Sequence, residues 1–143
     1  MNIYIKVLMG VAVVGFFVVL WLLPMSRSAQ VTTDRPDYSI GDPLEVSIVN
    51  KLDKSICFSS CYPFLLERQD SDGKWLEYSY GECESSDVVS GCVLAGESKK
   101  FQLSLDETEI GQTRIKINYC ADCVAGQPFS AGPTLYSNTF IIK

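Results

Sequence analysis

The chain contains no histidine. That absence removes the usual neutral-pH general base, the Ser-His and Cys-His nucleophile pairs, and every imidazole-ligated metal site. Acidic residues are missing from the N-terminal part: all 17 fall at or after Asp34, together with every basic residue except Lys6 and Arg27. The remainder is therefore more acidic than the net charge of −5 carried by the whole chain. This argues against nucleic acid and anionic lipid headgroups as partners of the folded part. Helical periodicity, internal repeats and low-complexity segments are also lacking after residue 30, and no catalytic or cofactor-binding constellation stands out.

What the N-terminus does hold is a run without charge from residue 7 to residue 23, extended by a mostly apolar turn that begins at the start of the chain. Such a run is long enough to cross a bilayer, which residues 3–23 are expected to contact. Trp21 falls where an interfacial aromatic belongs, Pro24 and Arg27 close the helix, and Gly10, Ala12 and Gly15 offer a close-packing stripe to a neighbouring helix. The segment 1–24 is read as a single transmembrane anchor because its apolar run exceeds the usual h-region of a signal peptide. The alternative is cleavage after Ser28, with Ser26 and Ser28 as the small residues of the site. Residues 25–30 form a short stalk.

Residues 31–143 read as one all-β domain of about eight short strands. Leu44, Val46 and Ile48 alternate with polar neighbours; Phe101, Leu103 and Leu105 share one face, as do Ile115, Ile117 and Tyr119. Strands are expected at 31–34, 44–50, 56–59, 64–69, 75–80, 99–105, 114–119 and 135–142. Asp70 to Gly73 should turn the hairpin between the fourth and fifth, and residues 81–98 read as a Ser-, Gly- and acid-rich crossing.

Six cysteines behind a hydrophobic leader indicate a disulfide framework in an oxidising compartment, so the domain is expected outside the cytoplasm on a single-pass membrane protein. The candidates are Cys57, Cys61, Cys83, Cys92, Cys120 and Cys123. Cys83 and Cys92 bracket the crossing and are expected to form one bridge. Cys57 and Cys61 have a C-x3-C spacing whose copper-site use would need histidines, and Cys120 and Cys123 have the C-x-x-C spacing of redox dithiols or half a zinc site. Structural bridges are the primary reading, because zinc needs reduced thiolates. No metal or cofactor is expected.

The sequence blocks YSIGDPLEVSIVN, FLLERQDSDGKW, LAGESKKFQLSL, GQTRIKINY and TFIIK together resemble the bacterial immunoglobulin-like domains of envelope and secreted proteins. They are also similar to the Bacillus-type intracellular proteinase inhibitors, which share the alternating strand ending in Asn and the Leu-x-Gly-Glu-Ser turn. The resemblance implies an Ig-like Greek-key β-sandwich and, through its strand order, a bridge joining the regions of Cys57 and Cys120. No cysteine falls within 44–50, so the inter-sheet bridge of antibody-type domains is not expected, and Trp75 need not be their core tryptophan.

Several groups carry a competing bland explanation. Asp70, Asp72 and Gly73 open like a calcium loop, but Gly81 occupies the position of its closing acid, so a hairpin turn is expected. Asp34, Asp37 and Asp42 read as a solvated acidic edge rather than a cation site. Phe64, Trp75, Tyr78 and Tyr80 are aromatics of one hairpin, a ligand platform only if exposed. The segment 121–134 is longer than the about two to five residues of ordinary hairpin loops and nearly uncharged. Val124, Pro128, Phe129 and Pro133 are its candidate partner contacts, with Phe129 alternatively plugging the open end of the sandwich. The expected function is that of a non-catalytic, membrane-anchored Ig-like module that binds another protein or stabilises an envelope assembly, with an integral membrane complex as one such partner. A protease inhibitor and an accessory subunit of a larger membrane complex are the alternatives.

Overall fold

The computed structural model describes residues 27–77, 83, 86–105 and 110–143. The expectations for the segment 1–24, for Tyr78 and for Tyr80 lie outside these residues. No helix among the described residues is long and apolar enough to cross a membrane. Every regular element there is a strand: β1 (Ala29–Thr33), β2 (Asp37–Tyr38), β3 (Pro43–Asn50), β4 (Ile56–Ser59), β5 (Leu65–Gln69), β6 (Trp75–Glu77), β7 (Val89–Val93), β8 (Ser98–Ser104), β9 (Gly111–Ala121), β10 (Thr134–Tyr136) and β11 (Phe140–Ile142).

Alternation in the sequence sets the two layers. On β3, Leu44, Val46 and Ile48 are buried while Glu45 and Ser47 are partly open, and β1 and β8 flank this strand in an antiparallel three-stranded sheet. On β9, Thr113, Ile115, Ile117 and Tyr119 point inward, leaving Arg114, Lys116 and Asn118 for the opposite face. β9 is the spine of the second sheet. One of its edges pairs with β11 and then β10, the other with β5 and then β4, and β6, β7 and β2 lie further out. Side chains from both sheets, among them Val46, Ile48, Phe58, Leu66, Ile115, Ile117 and Phe140, form one buried cluster, so the sheets pack face to face as a β-sandwich. Burying each such side chain contributes about 1.5–3 kcal/mol.

The strand count exceeds the expected eight, for local reasons. The run 135–142 is two strands, not one. Between them Ser137 Oγ accepts from the Ile115 amide (2.9 Å), while Asn138 accepts from the Thr33 amide (2.8 Å) and donates to its hydroxyl (2.7 Å). Ser137 thus takes a ladder hydrogen bond that a continuous strand would have made through its backbone, and Asn138 ties the second sheet to β1. The bend at 34–43 contains β2, which pairs in parallel with β11 and seats Tyr38 edge-to-face on Phe140 at 5.2 Å. The crossing 81–98 contains β7, bulged at Gly91, whose φ of 55° suits a residue without a side chain.

The registers place the two ends of the sandwich. Ala29 stands opposite Asn50, and Ile56 stands opposite both Val93 and Ala121. The entry of the chain into β1, the connections 51–55 and 94–97, and the exit from β9 therefore share one end. The turn 70–74 and the C-terminus lie at the other.

Candidate binding face

The cysteines gather on the outer face of the large sheet, the face turned away from β3. Ile56 and Phe58 point into the main core, so Cys57 and Ser59 point outward between them. Cys57 stands in register with Cys92 on one side and Cys120 on the other. The bridges formed are Cys57–Cys92, Cys61–Cys83 and Cys120–Cys123. The expected bridges Cys83–Cys92 and Cys57–Cys120 are therefore corrected. Cys92 belongs to a strand, which sets it opposite Cys57, and Cys83 is left to close the excursion that leaves the sheet after Ser59.

The long segment after β9 covers this sulfur cluster. Asp122 turns the chain with a φ of 53°, its amide donating to the Ser55 carbonyl (3.0 Å) and its carboxylate facing Lys54 Nζ (3.5 Å). The chain then crosses β4 to reach the outer edge of β7. There the Val89 amide donates to the Gln127 carbonyl (2.7 Å), the Gly126 amide to the Val89 carbonyl (2.9 Å) and the Phe129 amide to the Asp87 carbonyl (3.0 Å). Phe129 packs with Val89 and Cys123 against the Cys57 and Cys120 sulfurs. It fills a small second core on the outer face and does not plug the gap between the sheets. Val124 is 67% exposed and Pro128 and Pro133 are exposed, their backbones tied to Val88 and Tyr119, so of the four candidate contacts Phe129 is the one whose side chain packs inward.

Beside this cover lies a groove of about 450 Å³ lined by Ser59, Tyr62, Leu65, Glu77, Asp87, Asn118, Phe129 and Ala131. One wall carries Tyr62 and Leu65, beside the Cys61–Cys83 bridge, and the other is the cover. Its polar groups are held in place. Ser59 Oγ donates to Asp87 (2.7 Å) and accepts from the amides of Cys61 (3.1 Å) and Tyr62 (2.7 Å), and the Cys83 amide donates to the Tyr62 hydroxyl (3.2 Å). Lys116 binds Glu77 at 2.7 Å, and that hydrogen bond raises the lysine's pKa. Further along the face the Arg114 guanidinium lies between the rings of Trp75 (4.1 Å) and Tyr136 (4.0 Å). A hydrogen-bonded rim with mixed polar and apolar lining suits recognition of a surface.

None of Ser59, Tyr62, Asp87 or Asn118 stood out in the sequence. The signal for Asn118 was present, since it lies between inward-facing Ile117 and Tyr119, but Ser59 and Asp87 are brought together only by β7. The aromatic platform does not form as one surface among the described residues, because Trp75 faces outward whereas Phe64 packs against the main core and stacks on Phe101 at 5.8 Å. Asp70 closes a hairpin turn, accepting from the amides of Asp72 (2.9 Å) and Lys74 (2.8 Å). Arg35 sits 3.5 Å from both Asp34 and Asp42, and Lys143 lies 3.9 Å from Asp37. The Tyr38 hydroxyl donates to Asp34 (2.7 Å), which lowers the pKa of that carboxyl, and burial raises that of Tyr38. Among the described residues no group of three or more Cys, Asp or Glu is placed to hold a metal ion.

No family model and no curated protein matches the chain. Among solved structures, the Pseudomonas fluorescens alkylpurine DNA glycosylase AlkC bound to DNA containing an abasic site analog aligns with 83% of this chain and 31% of its own, at 8% identity and a TM-score of 0.41. A mutant β-glucosidase from Listeria innocua in complex with laminaribiose aligns with 80% of this chain and 16% of its own, at 14% identity and a TM-score of 0.30. The chain thus spans under a third of either protein, and likeness this distant carries no statement about activity.

Proposed function

We propose that the chain is a non-catalytic, Ig-like binding module, held on the outer side of a membrane by its hydrophobic segment 1–24, whose partner is a protein of that same membrane. The observation that supports it is positional. The disulfide-stapled cover and the exposed Val124 belong to the end of the sandwich where the chain enters β1, only a few residues after the apolar run. A module that bridged to another cell would be expected to present its distal end, at the 70–74 turn. Three disulfides fit an oxidising compartment and stiffen the face before a partner arrives, which lowers the ordering cost of binding. The flanking of β3 by β1 and β8, and of β9 by β4 and β10, is in keeping with an Ig-like strand order. The inhibitor alternative draws less support, because the cover is folded onto β7 and does not stand out as an extended strand for a protease cleft.

Photo-crosslinking in intact membranes tests the proposal, with the probe placed at Val124 or, as a control, at Asp72. A discrete product with an integral membrane protein from Val124, absent from Asp72 and lost on adding Val124→Asp in a chain carrying the probe at Pro128, is the expected result. Products from the distal site alone would overturn it. So would a soluble mature chain beginning at Ala29.

A further inference from the structure

Cys57, Cys92, Cys120 and Cys123 form two bridges, but their placement makes them one site. Cys92, Cys57 and Cys120 occupy matched positions on three neighbouring strands, so Cys57 has a potential partner on each side at the spacing of directly opposed residues. The Cys123 carbonyl oxygen lies 3.6 Å from Cys57 Sγ, and all four residues share the cluster under Phe129. Each existing bridge joins one buried cysteine to one partly open one. Cys57 (0% exposed) is bonded to Cys92, and Cys120 (6%) to Cys123.

We propose that these four cysteines form a thiol–disulfide exchange site with two covalent states, entered by a low-molecular-weight thiol at the partly open Cys123. The thiolate RS⁻ attacks Cys123 Sγ; an RS–Cys123 bond forms, the Cys120–Cys123 bond breaks, and the electron pair leaves on Cys120. The Cys120 thiolate attacks Cys57, forming Cys57–Cys120 and expelling the Cys92 thiolate. That thiolate attacks the mixed disulfide on Cys123, forming Cys92–Cys123 and releasing RS⁻. Each step makes one S–S bond and breaks one, so the sequence is redox-neutral and the thiol is regenerated. In the second state β4 is stapled to β9, and the cover, a wall of the groove, is stapled to β7. The exchange rests on strand register and is independent of the partner proposed above.

Disulfide mapping of the full chain in detergent tests it. The oxidised protein is incubated with glutathione at mildly alkaline pH, acid-quenched and alkylated. It is then cleaved before Asp122, which separates Cys120 from Cys123, and after Phe58, which separates Cys57 from Cys61. Linked peptides Cys57–Cys120 and Cys92–Cys123 should appear together and reach a ratio to the original pair that does not change with glutathione concentration. Persistence of the original bridges alone, or glutathione retained on Cys123, overturns the proposal. In Cys92→Ser the single free thiol should move from Cys57 to Cys123. A free Cys57 beside an intact Cys120–Cys123 bridge would likewise overturn it, and the glutathione experiment on the unaltered chain decides the matter should that variant not fold.

Discussion

Arg114 Nε donates to Glu67 at 2.7 Å on the outer face of the large sheet, and Glu67 is only 6% exposed. The cation and its hydrogen bonds stand in for the water that a carboxylate at such depth has lost. Arg114→Met keeps the stem between Trp75 and Tyr136 but leaves the carboxylate with Lys116 at 3.8 Å as its remaining nearby cation. The expected loss is about 2–4 kcal/mol, somewhat under that for a buried pair with no second cation. Glu67→Gln added to Arg114→Met should recover part of it in urea unfolding at unchanged m-value.

The Asp34–Tyr38 hydrogen bond predicts acid and alkaline limits of opposite origin. The folded-state pKa of Asp34 is depressed, chiefly by the Tyr38 hydroxyl, so its contribution is present above the unfolded value and fades as pH falls below about 4. The pKa of Tyr38 is raised, chiefly by burial and then by Asp34, so its contribution is complete below about pH 10 and is lost as pH climbs through the raised folded value. Thermal unfolding across pH should show both limbs. Asp34→Asn should flatten the acid limb and, by removing the neighbouring charge, diminish the alkaline one; an unchanged acid limb would refute the assignment.

Asn50 closes β3 with no exposed surface. Its Nδ2 donates toward the carbonyls of Lys54 (2.7 Å), Val93 (3.0 Å) and Leu94 (3.1 Å), while its Oδ1 accepts from the Leu52 amide (3.1 Å). Asn50→Asp keeps the shape and puts a carboxylate oxygen against those carbonyls. At neutral pH it should cost about 3 kcal/mol or more, each stranded buried polar group being worth about 1–3. The defect should shrink as pH falls from neutral toward about 4, because burial against carbonyls raises the carboxyl's pKa and the protonated form restores one donor. An equal loss at both pH values would show that the site has rearranged.

The alternating strands were legible because their side chains report the layer directly. Leu44, Val46 and Ile48, and then Ile115, Ile117 and Tyr119, face one core, and both strands were readable from that pattern, while the hairpin of β5 and β6 was readable from the turn residues Asp70 to Gly73. β7 was not, because Gly91 interrupts its alternation and Ser, Gly and acidic neighbours give it the composition of a loop. The error in disulfide pairing follows from that one strand, since Cys92 cannot be placed opposite Cys57 while it is taken to lie in a crossing. The candidate face was half legible. The length and low charge of 121–134 pointed to it, but the groove depends on which strand edge the segment reaches, and that is a long-range contact with Asp87 and Val89 which no local pattern announces.

Gly132 predicts how sharply the cover is positioned. Its amide donates to the Tyr119 carbonyl at 3.1 Å, and a Cβ added to it would lie 2.8 Å from that same oxygen. The obstruction is backbone of β9, the spine of the sheet, so the cover must yield. Gly132→Ala should therefore lift residues 130–133 from β9, lengthen or break the Gly132–Tyr119 hydrogen bond, and shift Ala131 and Phe129, which form one wall of the groove. The expected cost is about 1–3 kcal/mol, as for other overpacked sites. Hydrogen exchange should accelerate at the amides of Phe129 and Gly132 while those of Val46 and Ile48 in the opposite sheet stay protected. Gly126→Ala is the contrasting substitution, because no heavy atom lies within 4 Å of its added Cβ and only its φ of +82° is unfavourable. Its strain, about 1–2 kcal/mol, should stay within the turn 124–127 and leave exchange at Gly132 unchanged. Equal acceleration at Gly132 in both variants would mean that the cover moves as one loose unit, and the Tyr119 contact would then not be what holds the groove wall in place.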